Sequence, residues 1–489
     1  MQCIPVQTML FPYLHKVRFD DCTALFHPLT FDAVFIKGDV NEKALKKFLE
    51  EKGLARHWLA EEDFSYERYI DSFLAQSTYG EIDIRTLKMF TTTLCNLACD
   101  YCLIEKNLET RGHHCRNISR EDAFHVIDRF SRLCLDQKPA KRTIMLYGGE
   151  PLMNRDTVFD VIRKIRAMEQ ENLFNGPVEI DLECNGTLVT EEDAEFLKEH
   201  DVFILISLDG IESVHNTYRK TKAGGEGSYR AARKGFETLI RHGCTAVISS
   251  VFTDAYAKNL DACLDAMTDE IKPKSIGLNL FHVLEDQDIV NDHTESLLDQ
   301  YIRAFEKARE KGLYIEHIMR RIRPLTDKKI RISDCGACGN RIVSDVDGNI
   351  GICEGLVGDS AWFFPREDLR TVRDDPEFRK WSVRTPLTMK GCVGCKAMGI
   401  CGGGCVSNAI RQNHDLYSPD NYICESSKAF IDYAMKTWHK AVQKPMEEAG
   451  EPIHLLSEEE RYTLLGHLGR EFDIPLQTVS KQFERGIES

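Results

Sequence analysis

The chain has 489 residues, enough for two to four domains, and a formal net charge of −15, which disfavours a nucleic-acid partner because phosphate binding needs a basic surface. No stretch approaches the roughly 18 uncharged apolar residues of a membrane span, and Asp20 and Asp21 follow the short apolar start without a clear signal-cleavage site. Eighteen cysteines without a secretion signal indicate a reducing compartment and metal chemistry, so we expect a cytoplasmic protein without a membrane partner.

Residues 1–85 are expected to form a small accessory domain. The stretch CTALFHPLTFDAVFIKG (22–38) is typical of two strands joined by a Pro-containing turn. NEKALKKFLEEKGL (41–54) predicts a capped helix that Gly53 ends.

Residues 86–315 alternate short apolar runs with amphipathic helical stretches. Helices of ten or more residues between strands indicate a parallel sheet with right-handed crossovers. Six such units predict an α/β fold, a partial (β/α)6 barrel of the TIM type, with its active site at the C-terminal ends of the strands. The six expected strands cover residues 87–92, 143–147, 179–184, 203–208, 246–252 and 276–281.

Three cysteines follow the first of these strands in the stretch CNLACDYC, namely Cys95, Cys99 and Cys102, here called the first motif. A structural zinc site closes with four ligands, and no fourth Cys or His follows at zinc-ribbon spacing. The first motif therefore indicates a metal centre with one open position.

Residues 316–440 lose regular periodicity and are rich in cysteine and glycine, which is typical of a segment held together by metal. Residues 441–489 form a C-terminal extension, in which SEEE (457–460) begins like a capped helix and a second short helix follows.

The first motif, with Tyr101 before its last cysteine, resembles the signature of the radical S-adenosylmethionine (SAM) enzymes. The resemblance implies that these cysteines hold a [4Fe–4S] cluster and that SAM chelates the fourth iron, which would explain the open position. The alternative is that the three cysteines stand together by chance or are what remains of a zinc site.

Other motifs strengthen this resemblance. YGGEPLMN follows the second strand, so Glu150 offers a carboxylate to an ammonium group at the C-terminal edge. The resemblance assigns SAM contacts to Tyr101, Gly149, Glu150, Ser207, Arg219 and Leu280. For Leu280, a place in the apolar core is an equally good explanation.

The later cysteines resemble the seven-cysteine SPASM domain, which carries auxiliary [4Fe–4S] clusters in radical SAM enzymes that act on peptides and proteins. Two interleaved zinc sites are the alternative. The resemblance implies three clusters in all. The ligands of the first auxiliary cluster, here called cysteine group A, would be Cys338, Cys353 and Cys405, with Cys335 as a candidate fourth. The ligands of the second, here called cysteine group B, would be Cys392, Cys395, Cys401 and Cys424.

The resemblance implies that a 5′-deoxyadenosyl radical abstracts hydrogen from a ribosomally made precursor peptide, after which a thioether or carbon–carbon crosslink forms. A one-electron reductant such as flavodoxin or ferredoxin would then be a partner. An anaerobic sulfatase-maturating enzyme is the alternative, with Glu354 after Cys353 as a candidate base. A third alternative is a non-catalytic electron-transfer or scaffold protein.

Overall fold

The structure is a computed structural model that describes residues 10–59, 64–110, 112, 114–280, 294–468 and 486–488. The last residue of the sixth expected strand and the second C-terminal helix expected after residue 468 lie outside these ranges. Among the described helices, none is long and apolar enough to cross a membrane.

The strands of the described chain form two main sheets and two short antiparallel pairs. They are β1 (His15–Arg18), β2 (Thr23–Phe26), β3 (Ala33–Ile36), β4 (Thr86–Thr92), β5 (Leu97–Cys99), β6 (Arg142–Gly148), β7 (Val178–Cys184), β8 (Val202–Ser207), β9 (Arg219–Thr221), β10 (Thr245–Phe252), β11 (Ser275–Leu280), β12 (Tyr314–Ile315), β13 (Lys329–Arg331), β14 (Arg341–Ser344), β15 (Ile350–Gly351), β16 (Ile453–Leu455) and β17 (Gly486–Glu488).

The helices begin at side-chain caps in several places. Ser119 accepts a hydrogen bond from Asp122 N at the start of the helix Arg120–Leu135, and Thr190 and Asp193 form a capping box at the start of the helix Glu191–Glu199. The helices are α1 (Glu42–Glu51), α2 (Ala55–Trp58), α3 (Tyr66–Leu74), α4 (Leu103–Thr110), α5 (Arg120–Leu135), α6 (Arg155–Gln170), α7 (Glu191–Glu199), α8 (Glu212–Tyr218), α9 (Tyr229–Arg241), α10 (Asp254–Lys258), α11 (Leu260–Asp265), α12 (Thr294–Lys311), α13 (Glu316–Asp327), α14 (Pro376–Ser382), α15 (Val406–Asn413), α16 (Asn421–Ala449) and α17 (Glu458–Tyr462).

The larger sheet has the order β12-β11-β10-β8-β7-β6-β4-β14-β15. All neighbours are parallel except β14 and β15. The α/β fold with a mainly parallel sheet is thus confirmed, and strands lie where the sequence predicts them. The strands β14 and β15 belong to the cysteine-rich segment, so this segment is joined to the sheet by backbone hydrogen bonds.

The two faces of the larger sheet differ in chemistry. Leu87, Ile144 and Ile180 lie in register and are fully buried in the same core as α5 and α6. Alternate side chains point to the opposite face, where Lys88 and Glu183 lie. The alternation of side chains along each strand therefore separates an apolar face, which packs on helices, from an inner face that carries charged side chains.

The smaller sheet joins the two ends of the chain in the order β1-β2-β3-β16. Its strands are antiparallel, and Ile36 pairs with Ile453. One face packs on α1 through Leu25 and Val34. The helix α16 crosses the boundary expected at residue 440, so the C-terminal extension begins within a helix and contains a strand as well as the expected helix α17.

Candidate active site

The first motif lies just beyond the C-terminal end of β4. The pair β5–β9 fixes this loop, because Cys99 lies opposite Arg219. Cys102 precedes α4 directly, and its Sγ accepts a hydrogen bond from Glu105 N at 3.4 Å. Cys95 Sγ accepts one from Leu97 N at the same distance.

The three thiols lie close enough to influence one another. Burial raises the pKa of Cys99 to about 12, and the charged forms of Cys102 and Cys95 add to this rise, while Arg219 opposes it. Burial likewise raises the pKa of Cys95 to about 11. All three cysteines are nevertheless partly exposed.

Two glycines let β6 approach the loop of the first motif. A Cβ on Gly148 would lie 2.0 Å from Thr92 O, and one on Gly149 would lie 2.1 Å from Leu94 O. Glu150 N donates to the same Leu94 O at 2.7 Å. Any larger residue in place of these glycines would push Glu150 away from the cysteines.

Glu150 is a fully buried carboxylate at this edge. It accepts hydrogen bonds from Asn185 N at 2.7 Å and from Leu152 N at 3.1 Å. No lysine, arginine or histidine of the described chain forms an ion pair with it, and burial raises the pKa of Glu150 to about 7. An ammonium group of a ligand would satisfy this carboxylate.

Arg219 and Tyr101 meet at a residue that the sequence analysis did not assign. Arg219 Nε donates to Asp209 Oδ2 at 2.8 Å, and the Tyr101 hydroxyl donates to the same oxygen. Burial alone would raise the pKa of Asp209, but the charge of Arg219 brings it below the ordinary value. Asp209 stands two residues after Ser207, which ends β8, so its place just beyond the end of a predicted strand was the available signal.

Ser207 ends β8 on the inner side of the same edge. It pairs with Ser249 of β10, whose hydroxyl accepts a hydrogen bond from Asn279 Nδ2 at 3.1 Å. Leu280 lies at the end of β11 opposite Phe252 and is half-buried. Ser249 and Asn279 were not predicted as site residues from the sequence, although the alternation of side chains along the strands places both on the same face of the sheet as Ser207.

Cysteine group A is brought together by three separate segments. A hydrogen bond with Cys338 lowers the pKa of Cys335 to about 7. Burial raises the pKa of Cys353 to about 12 and that of Cys405 well above its ordinary value, and in both cases nearby Cys335 contributes. Cys335 therefore lies with the other three thiols.

Cysteine group B lines a cavity of about 370 Å³ near the surface. All four of its thiols face this cavity, together with His15, Lys396 and Lys428. Backbone amides point at two of the sulfurs: Ala397 N donates to Cys395 Sγ at 3.4 Å, and Gly403 N donates to Cys401 Sγ at 3.3 Å.

Comparison with known proteins agrees with this geometry. Residues 89–254, which contain the first motif, Glu150, Asp209 and Arg219, match the model of the Radical SAM superfamily. These residues form a radical SAM domain.

Two relatives match most of this chain. A cysteine-type anaerobic sulfatase-maturating enzyme of Clostridium perfringens is 24% identical over 365 residues, which cover 70% of this chain and 93% of the relative. The radical SAM cyclopropyl synthase TigE of Paramaledivibacter caminithermalis is 22% identical over 432 residues, 86% of each chain. The crystal structure of Streptococcus suis SuiB bound to precursor peptide SuiA shares the fold, with a TM-score of 0.50, 17% identity, and coverage of 84% of this chain and all of that one.

A radical SAM domain implies a [4Fe–4S] cluster and SAM, and the residues present fit both. Three thiols leave one iron position for another ligand. The unpaired Glu150 carboxylate at the same edge fits a ligand ammonium group. Arg219 is already paired with Asp209, so its contact with a SAM carboxylate stays a prediction.

Glu354 lies between the radical SAM domain and cysteine group A. Arg341 Nη2 donates to Glu354 Oε2 at 2.6 Å, and Lys88 Nζ lies 3.3 Å from Glu354 Oε1 and 3.2 Å from Glu183 Oε1. Lys88 Nζ also lies 3.7 Å from the centre of the Tyr147 ring. Burial opposes ionisation, but Arg341 and Lys88 hold the pKa of Glu354 well below its ordinary value. A carboxylate held by two cations is a weak proton acceptor, so this geometry argues against Glu354 as a general base.

Proposed function

We propose that this protein is a radical SAM/SPASM peptide maturase that forms a thioether or carbon–carbon crosslink in a ribosomally made precursor peptide. The observation that carries the proposal is the combination of a three-thiol motif beside Glu150 with two further groups of four converging thiols. When bound, the clusters and SAM supply one-electron chemistry and a radical that abstracts hydrogen from carbon.

The roles of the residues follow from their positions. The first motif would hold the SAM-binding cluster, and Glu150 would bind the SAM ammonium group. Ser207 ends β8 and Leu280 ends β11, the two strands that flank β10, and both residues would contact the rest of SAM. Cysteine groups A and B would hold two auxiliary clusters, with Cys335 as the fourth ligand of group A, and a flavodoxin or ferredoxin would supply electrons in the cytoplasm.

The inner face of the sheet would receive the peptide. Lys88, Glu183, Glu354 and Arg341 form a charge-balanced network there, and the side chains of Glu183 and Glu354 are 23% and 22% exposed. Such a network makes this face polar while each of its four charges has a partner.

The peptide leader would dock on residues 1–85 by adding a strand to β1. Among the described residues, no strand pairs with the outer side of β1. Phe19 N donates to Cys22 O, so the alternation of an antiparallel ladder points the N–H group of Lys16 outwards. A leader held there raises the effective concentration of its core over the active site.

The test is co-expression with small peptides encoded beside the gene, followed by mass spectrometry. A maturase should produce a peptide that has lost two hydrogens per crosslink and gained no oxygen. Lys16→Pro removes one outward N–H and should lower peptide modification while SAM cleavage continues; Lys16→Ala keeps the N–H and is the matched control. Equal modification by both variants would place leader docking elsewhere.

The second candidate is a sulfatase-maturating enzyme, which the Clostridium perfringens relative favours. This activity would convert a Cys or Ser of a sulfatase peptide to an aldehyde without a crosslink. Aldehyde formation on a sulfatase peptide, with no change in the neighbouring small peptides, would replace the maturase proposal by this candidate.

A further inference from the structure

Arg384 is a deeply buried cation beside the loop that joins cysteine groups A and B. Its side chain is 1% exposed. The guanidinium donates to four backbone carbonyl oxygens: Leu416 O at 2.6 Å, Gly403 O at 2.7 Å, Ser418 O at 2.8 Å and Gly404 O at 3.2 Å. Among the described residues, no carboxylate forms an ion pair with it.

Most other buried arginines of the described chain have a carboxylate partner. Arg219 pairs with Asp209, and Arg341 pairs with Glu354. Carbonyl oxygens satisfy the N–H donors of a guanidinium but leave its charge uncompensated, and an uncompensated buried charge costs free energy. Arg384 therefore calls for a source of negative charge nearby.

The position of Arg384 identifies that source. Gly403 and Gly404 lie between Cys401 of group B and Cys405 of group A. A Cβ on Gly403 would lie 2.7 Å from Arg384 Nη1, so the guanidinium packs directly on this loop. Gly403 also lines the cavity of cysteine group B.

We infer that Arg384 is a positioning residue whose charge stabilises the reduced form of the iron–sulfur cluster held by cysteine group B. The inference rests on the proposed function, which places a cluster there. Four thiolates give such a cluster a net negative charge, and one-electron reduction adds another. A fixed cation stabilises the more negative form more strongly, so Arg384 raises the reduction potential of this cluster.

Three variants of the full-length holoenzyme test the inference. Arg384→Met removes the charge, and Arg384→Lys keeps it while losing the forked geometry. Arg142→Met is the matched control, because Arg142 is fully buried and also donates to backbone carbonyls, at the N-terminal end of β6. Iron content is measured first, and each reduction potential is then obtained by redox titration followed by electron paramagnetic resonance. Added SAM identifies the signal of the first cluster because it binds there.

A wild-type protein with about four irons instead of about twelve would overturn the proposed function itself. If the wild-type protein holds about twelve irons, we expect Arg384→Met to lower the reduction potential of one auxiliary cluster or to lose that cluster. In Arg384→Lys, both auxiliary clusters should keep reduction potentials near those of the wild type. In Arg142→Met, neither reduction potential should change. If Arg384→Met leaves every potential unchanged, or Arg142→Met shifts the same one, the inference is wrong. If Arg384→Met does not accumulate, Arg384→Lys decides the test: wild-type potentials in that variant support the inference, and an Arg384→Lys variant that also fails to accumulate overturns it.

Discussion

The first motif and cysteine group B hold their thiols by different means. The first motif follows a regular strand, and the pair β5–β9 fixes it by ordinary backbone hydrogen bonds. In group B, Cys392, Cys395 and Cys401 lie outside regular strands, and Cys424 lies in the first turn of α16. Amides are directed at sulfur in both sites, but only the loop after Cys401 is also held by the carbonyl bonds of Arg384. Regular structure thus positions one site without metal, whereas the other depends on contacts specific to its own loop.

This difference concerns stability as well as geometry. A loop without a large apolar core gains much of its order from a bound metal, because metal binding and folding are then coupled. The radical SAM domain packs its sheet on an extensive apolar core, which also reaches Trp381 and Met398 of the cysteine-rich segment. We therefore expect losses at the first motif to affect chemistry and losses in the cysteine-rich segment to affect folding too.

The largest effect is expected from replacing Cys95, Cys99 and Cys102 together by Ala. Reductive cleavage of SAM to 5′-deoxyadenosine should stop, while iron falls only from about twelve to about eight per chain. Chromatography of the nucleoside product and iron analysis give both numbers. The exposed Cys115, outside the motif, provides the control Cys115→Ala. SAM cleavage at the wild-type rate in the triple variant would refute the assignment of the first motif.

Glu354→Gln tests the network between the two regions. The change leaves Lys88 and Arg341 buried with one carboxylate fewer, so we expect a loss of about 3 kcal/mol in stability, seen as a lower melting temperature. Adding Lys88→Met should recover part of this loss. A melting temperature equal to wild type together with lost activity would instead indicate a catalytic base.

Glu150→Gln tests whether the Glu150 carboxylate of the radical SAM domain binds SAM. Losing a charged hydrogen bond should weaken SAM binding about 10- to 100-fold, as measured by equilibrium titration. Glu179→Gln, on the opposite end of β7, is the control because Glu179 pairs only with the surface Lys141 in the described contacts.

The same carboxylate predicts a pH dependence. Its pKa is raised by burial to about 7, so its contribution to stability is fully present below pH 4.5 and is lost as the pH rises through 7. A ligand ammonium group favours the ionised form. The affinity for SAM should therefore fall as the pH drops below about 7, and the Gln variant should show no such fall. A pH-independent wild-type affinity would contradict the assigned contact.

The smallest effect is expected from Cys335→Ala. If Cys335 completes cysteine group A, its loss should remove no more than one iron of about twelve and alter the spectrum of one auxiliary cluster. The buried Cys263 lies outside all three sets and provides the control Cys263→Ala. Unchanged iron and spectra would show that group A is complete without Cys335.

The sequence predicts the parts of the fold that depend on local pattern. Each expected strand of residues 86–315 is present, because alternation and flanking helices are readable within a dozen residues. The position of Glu150 was predicted for the same reason: a GGE motif after a strand must lie at its C-terminal edge.

Contacts between distant segments were not predictable in this way. Lys88 interrupts an apolar strand, and only the fold brings Glu183 and Glu354 to it. Arg219 was expected to contact SAM, but Asp209, ten residues earlier, is its partner. The strand β16 has three residues, too few to carry a periodic signal, and its pairing with β3 depends on the whole chain.

That pairing sets an order of events during synthesis. Ile36 leaves the ribosome long before Ile453, and at about 5–20 residues per second the interval is roughly 20 to 80 s. Throughout this time β3 presents an unpaired apolar edge, which is a template for pairing with other nascent chains. The N-terminal sheet can therefore be completed only after residues 453–455 have been synthesised, and its yield in a cell should depend on chaperones that cover this edge.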